Sequence, residues 1–206
     1  MPIKNDREYR NIPMFKIEKR EEGDEPSFFV EGYASTFDTY TLWEDPDGTR
    51  YQERIDPHAF DGCDMSDVIF QRDHCGTVFA RTSNGSIELN VDGHGLHQRA
   101  NLGLTTSARQ MFEEIMAGLY TQMSFAFTVD RHAIEYDREN NVFTRQILAV
   151  RKLYDVSAVS FPANPYTDIG VSARSAFDGA IKERAEERRK LELELAKAKY
   201  FYEEAE

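Results

Sequence analysis

A serine hydroxyl becomes a nucleophile at neutral pH only when a base lies within hydrogen-bond reach. That base works better when a third group fixes its tautomer. Ser124 is the serine whose surroundings invite this reading. Met123, Phe125, Phe127 and Val129 alternate with Ser124, Ala126 and Thr128. The alternation predicts a half-buried strand with Ser124 on the less apolar face, turned towards a surface where a substrate can lie. His74 closes the segment Val68 to His74, read as a strand ending near the histidine, and is the candidate base. Asp73 is a poor partner for it, because neighbouring side chains on a strand face opposite ways. The same geometry counts against Cys75 as a nucleophile driven by His74, and Cys75 reads as a buried, inert thiol. On type and spacing alone, an outward serine is also an ordinary solvated serine, and an Asp-His pair is common in loops. Both readings stand at this point.

Composition removes several other chemistries. The chain has 206 residues, with 37 acids against 25 bases and a formal charge of −12. Such a surface repels phosphate backbones, so no nucleic-acid partner is expected. No phosphate-cradling GxxxxGK[ST] loop, dinucleotide GxGxxG or GxSxG elbow occurs. The two cysteines, Cys63 and Cys75, make neither a disulfide framework nor a zinc site. His94 and His97 have a metal-like spacing, but Asp92-Gly93-His94-Gly95 is turn sequence, so no metal and no cofactor is expected. No apolar run approaches the roughly 18 residues of a membrane-spanning helix. The charged first twenty residues lack the apolar core of a secretory signal, which points to a cytoplasm.

The elements that must carry Ser124 and His74 read as short strands with turns between them. Residues 1–25 form a charged arm in which Met14-Phe15-Lys16-Ile17 is a candidate strand. Phe28 to Phe37 has strand-like density, and Asp45-Pro46-Asp47-Gly48 signals a turn before a strand from Thr49 to Ile55. Asp56-Pro57 opens a short helical turn. Ser86 to Val91 and Leu96 to Leu104 are strands, with Asn84-Gly85 a tight turn before the first. The clearest helix starts at Ser107, with Gln110 completing a capping box. Ala108, Phe112, Ile115 and Leu119 form its apolar face, and Gly118 stops it. Two strands follow, Val142 to Val150 and Leu153 to Phe161, ended by Pro162-Ala163-Asn164-Pro165. Trp43 is read as packing. The pattern predicts a mainly β fold with helices (α+β): a closed barrel of about seven strands over residues 26–172, surrounded by a few helices.

Beyond residue 172 the composition changes. Charged residues dominate 173–206, and Phe177, Ile181, Leu191, Leu195, Ala198 and Tyr202 follow a three-four spacing interrupted by Arg184 and Arg188. This predicts a charged C-terminal helix. It lies on the barrel, pairs with a second copy in a homodimer, or docks on a scaffold or capsid partner.

Several segments in one order resemble the HK97-type prohead maturation proteases of phages. They are GYASTF (32–37), DPHAF (56–60), FQRDHCG (70–76), DGHGL (92–96), AGLYTQMSFAF (117–127) and LYDVSAVSFPANP (153–165). The resemblance covers roughly residues 28–172, and the last segment is the most distinctive. It implies a serine endopeptidase with an assemblin-like barrel, acting inside the immature capsid in the host cytoplasm. Such an enzyme cuts the scaffold segment from the major capsid protein and often cuts itself. By position the family's serine falls on Ser124 and its histidine on His74. Asp155 occupies the place where the phage proteins carry an acid, and would orient the imidazole. Assemblins use a second histidine instead, but His132, the last in the chain, follows Ser124 by only eight residues. The alternative from another class is a capsid-assembly or scaffold-binding protein that keeps the barrel without proteolysis.

Overall fold

The computed structural model describes residues 7–13, 28–160 and 168–203. The chain divides into two compact units, Met1–Ser172 and Ala173–Glu206. The strands are β1 (Glu8–Pro13), β2 (Phe29–Thr36), β3 (Tyr40–Glu44), β4 (Arg50–Ile55), β5 (Ile69–Arg72), β6 (Cys75–Arg81), β7 (Ile87–Val91), β8 (Gly95–Asn101), β9 (Gln122–Asp137) and β10 (Val142–Val159). The helices are α1 (Thr106–Met116) and α2 (Asp168–Glu203), with a 3₁₀ turn at Thr82–Asn84.

Among the described residues the fold is mainly β with two helices. The expected closed barrel is not what the pairings give. Among the described residues they form an open seven-stranded sheet and a separate three-stranded sheet, β2-β8-β7. In the larger sheet the order is β1-β9-β10-β4-β3, and β5 pairs with both β10 and β6. The long strand β10 makes this possible. One edge pairs antiparallel with β9, while the other pairs in parallel with β4 from Val142 to Ile147 and with β5 at Asp155 and Ala158.

One apolar core joins the two sheets and α1. Val30, Leu96 and Ala100 of the small sheet cluster with Phe125, Phe127, Leu153 and Val156 of the large one, and with Ala108, Met111, Phe112 and Ile115 of α1. Phe125 and Phe127 are fully buried, each worth about 1.5–3 kcal/mol of transfer free energy. Gly95 sits where β8 crosses a bulge in β2 between Tyr33 and Ser35; a Cβ there would collide with the Ser35 carbonyl.

The helix begins earlier than its capping-box reading placed it. Thr105 is the N-cap, and its Oγ1 accepts from the Ala108 N–H at 3.1 Å. Gly118, at φ 77°, turns the chain out of the helix in the left-handed region, and Leu119 is exposed rather than on the apolar face. The helical turn expected after Asp56 is a bare hydrogen-bonded turn, closed by Ala59 N–H to the Asp56 carbonyl at 2.8 Å. The two strands expected over 142–161 are one, and β3 was not anticipated at all. Met14–Ile17 and Pro162–Pro165 lie outside the described residues. The part of α2 in the second unit is rich in strong helix formers, carries an Arg188–Glu192 pair at 3.1 Å and leaves Leu191, Leu193 and Leu195 exposed. No described helix is long and apolar enough to cross a membrane.

Within the stretch read as an arm, β1 is a strand despite its charges. Glu8 and Arg10 meet Glu53 of β4 and Arg145 of β10 in a buried cluster. Arg10 donates to Glu53 from Nε at 2.5 Å and from Nη2 at 2.8 Å. Arg145 donates to Glu8 at 2.6 and 2.9 Å and to Glu53 at 3.0 Å. Tyr40 Oη donates to Glu53 at 2.5 Å. Burial and the Glu53 charge raise the Tyr40 phenol well above its ordinary range. Burial alone would lower the Arg10 guanidinium, but the Glu53 carboxylate holds it well above its usual value. The cluster fixes β1 along β9, with Asn11 opposite Ser124 in register.

Candidate active site

Cross-strand partners in an antiparallel ladder share a face of the sheet. On β9, Ser124 and Ala126 share one face, and Ser157 and Asp155 of β10 stand directly opposite them. An unbroken ladder would not achieve this. Leu153 is opposite Phe127 on the core face, so at regular alternation Asp155 would follow it there. A bulge between Leu153 and Asp155 sets two steps of β10 against one of β9 and turns Asp155 onto the Ser124 face.

His74 reaches the same place from the β5–β6 hairpin. Arg72 pairs with Cys75, leaving Asp73 and His74 as a two-residue turn with φ of 48° and 55°. Positive φ at both central positions is the type I′ geometry, in which Asn and Gly predominate. Asp73 repays the strain by tethering the turn to β10. Its N–H donates to the Ala158 carbonyl at 3.0 Å, and its Oδ1 accepts from Ser160 N–H and Oγ–H at 2.8 and 3.0 Å.

The result is a continuous line of hydrogen bonds. His74 Nδ1 lies 2.5 Å from Asp155 Oδ1, and His74 Nε2 lies 2.6 Å from Ser124 Oγ. With the Asp155 carboxylate as acceptor, Nδ1 is the donor. In that tautomer Nε2 faces the serine hydroxyl as the acceptor. A hydroxyl, an imidazole and a carboxylate in this order have the geometry of nucleophile activation.

A family model described as caudovirus prohead serine protease matches residues 14–180. The chain belongs to that family. It is therefore a serine peptidase of the kind that serves phage capsid maturation. No curated protein and no solved structure gives a significant match to the chain.

In this prohead protease the burial of the site differs from expectation. Every residue of β9 from Met123 to Thr128 is buried, and Ser124 has no exposed surface. The strand is covered on both faces, not half-buried. The imidazole is the most accessible of the three groups, with 18% of its side chain exposed against 6% for Asp155.

Two neighbours were not singled out by sequence reasoning. Tyr9 of β1 packs edge-on against the His74 ring, with centroids 4.7 Å apart. Ser157 donates to Asp155 Oδ1 at 2.7 Å. Asp73, rejected as a partner for the ring, carries the tether instead. Only Ser157 had a legible signal, its i+2 spacing from Asp155.

Other candidates separate from this site. Cys75 is exposed, not the buried thiol expected, because β6 begins with four exposed residues. Cys63 is the shielded one, and burial pushes its thiol up to about 11. His132 lies further along β9, opposite Ile147. His94 and His97 both pack edge-on against Tyr33, and Trp43 stacks on Tyr51 at 4.4 Å. The Lys152 ammonium is held by Asp64 at 2.5 Å. Arg151 lines a cavity with Asp56, His58 and Asp130 that includes none of the three.

Proposed function

We propose that the protein is an endopeptidase that cuts the phage's capsid protein, with its scaffold segment, and itself within the prohead. Ser124 is the nucleophile, His74 the general base and then acid, and Asp155 the group that orients the ring. The observation that carries this reading is the pair of contacts made by one imidazole, 2.6 Å to Ser124 and 2.5 Å to Asp155. Family membership supplies the reaction class.

In the first step Ser124 Oγ attacks the scissile carbonyl carbon while its proton passes to His74 Nε2. The imidazolium is stabilised by Asp155 and then gives that proton to the departing amine, leaving an acyl-enzyme. Water, deprotonated by the same nitrogen, hydrolyses the ester and restores the serine. Because Ser124 is wholly covered in this state, an opening motion must precede attack.

The test is co-expression of Ser124→Ala with the phage's own capsid protein. The expected result is a folded protease and a full-length capsid protein. Normal processing by that variant would remove Ser124 as nucleophile. An intact capsid protein with the unaltered enzyme would instead favour a binding role.

A further inference from the structure

We propose that Ser157 is a positioning residue that locks the Asp155 carboxylate in line with His74. The inference rests on the triad reading above and goes one group beyond it. Ser157 is fully buried, so its hydroxyl has to find a partner inside the protein. It donates to Asp155 Oδ1 at 2.7 Å, the same oxygen that meets His74 Nδ1 at 2.5 Å. The ladder explains the aim: Ser157 is two residues beyond Asp155 on one face of β10 and directly opposite Ser124 on β9.

Two donors on one oxygen do what one cannot. The terminal torsion of an aspartate is broad and soft, so a single hydrogen bond from the ring leaves the carboxylate free to swivel. With Ser157 fixed on a paired strand, any swivel breaks a charge-assisted bond in a buried site, where such bonds are strongest. The orientation of Asp155 is thus set by backbone that is itself paired to the nucleophile's strand. The hydrogen bond of Ser157 goes to Asp155, so it acts through that carboxylate.

The test compares Ser157→Ala and Ser157→Cys with the unaltered enzyme, using the phage capsid protein as substrate. Cysteine fills the site, being slightly larger than serine, but is a weak donor, so it separates a lost hydrogen bond from a lost packing contact. Both variants are expected to lose about 10- to 100-fold in kcat with KM unchanged, the range for a hydrogen bond to a charged group. In ¹⁵N-labelled protein the low-field proton resonance of His74 Nδ1 is expected to shift or broaden in both. Full kcat in Ser157→Cys, or an unmoved resonance in the two variants, overturns the inference. Ser124→Ala run alongside keeps the two readings apart. If Ser124→Ala still cleaves, the triad reading fails. If Ser124→Ala is inactive while both Ser157 variants are normal, only the positioning role fails.

Discussion

Replacing Glu53 by glutamine tests whether the buried charge cluster holds β1 against the sheet. Glu53 and Arg10 are 0% and 1% exposed, Arg145 is 2% and Glu8 is 8%. The four charges cancel, two carboxylates against two guanidiniums. Glu53→Gln leaves two cations facing one carboxylate. It also replaces one acceptor by an NH₂ group that faces donors, since Oε1 accepts from Arg10 and Tyr40 and Oε2 from Arg10 and Arg145. Breaking a buried pair in this way costs about 3–5 kcal/mol, because an uncompensated charge stays behind. That is a large share of the roughly 5–15 kcal/mol that holds a domain folded. Urea unfolding of both proteins reads the difference. The double variant Arg10→Gln, Glu53→Gln restores neutrality and keeps the two-pronged Glu8–Arg145 pair at 2.6 and 2.9 Å. Its loss should fall short of the sum of the single losses by about 1–3 kcal/mol. A Glu53→Gln loss under about 1 kcal/mol, or strict additivity, would refute the reasoning.

The other predictions concern pH, the histidine turn and the thiols. Burial alone would raise the Glu8 carboxyl, but the Arg145 hydrogen bond and the charges of Arg10 and Arg145 outweigh it and hold it low. A depressed folded value means its stabilisation is complete above the ordinary glutamate range and is lost as pH falls through that value. The difference in urea midpoint between the unaltered protein and Glu8→Gln should therefore stay constant near neutrality and shrink only on acidification. Asp73→Ala removes two acceptor contacts and a residue type that tolerates positive φ, so it should cost about 1–3 kcal/mol and lower kcat about tenfold. Asp73→Asn keeps a carbonyl acceptor and the same tolerance, and should process the capsid protein nearly normally. Equal behaviour of the two variants would count against the tether. Iodoacetamide near pH 8 (roughly the pKa of a free thiol) should modify exposed Cys75 and spare Cys63, as peptide mapping by mass would show. Cys75→Ala should retain full proteolysis, and loss of activity there would reopen a cysteine mechanism.

The strands β2, β4, β7 and β8 were legible because each is short and set off by turn residues, β2 by its aromatic density and β7 by its alternation in polarity. The helix was legible from its apolar face, though Thr105 outcompeted Ser107 as the cap. Three features were not. The strand β1 reads as an arm because Glu8 and Arg10 are charged, and their partners Arg145 and Glu53 are 137 and 43 residues away. The buried face of β9 was misjudged because alternation of Ser124, Ala126 and Thr128 with bulky residues looks the same whether the small face is wet or covered. The bulge before Asp155 has no composition of its own, so the ladder alone shows how that carboxylate comes to the serine's face. Ser124, His74 and Asp155 are legible as a set through the order of segments that resembles the phage proteases. Their contacts depend on this bulge and on a strained Asp-His turn that neither alternation nor turn propensity foretells.

The central claim is that the Ser124 hydroxyl is activated by His74. Incubation with a fluorophosphonate, followed by peptide mapping, tests it without knowledge of the cleavage sequence. The account predicts one adduct, on Ser124, formed by the unaltered protease and absent from His74→Ala. An adduct on another serine, or equal labelling of Ser124 without His74, would contradict it.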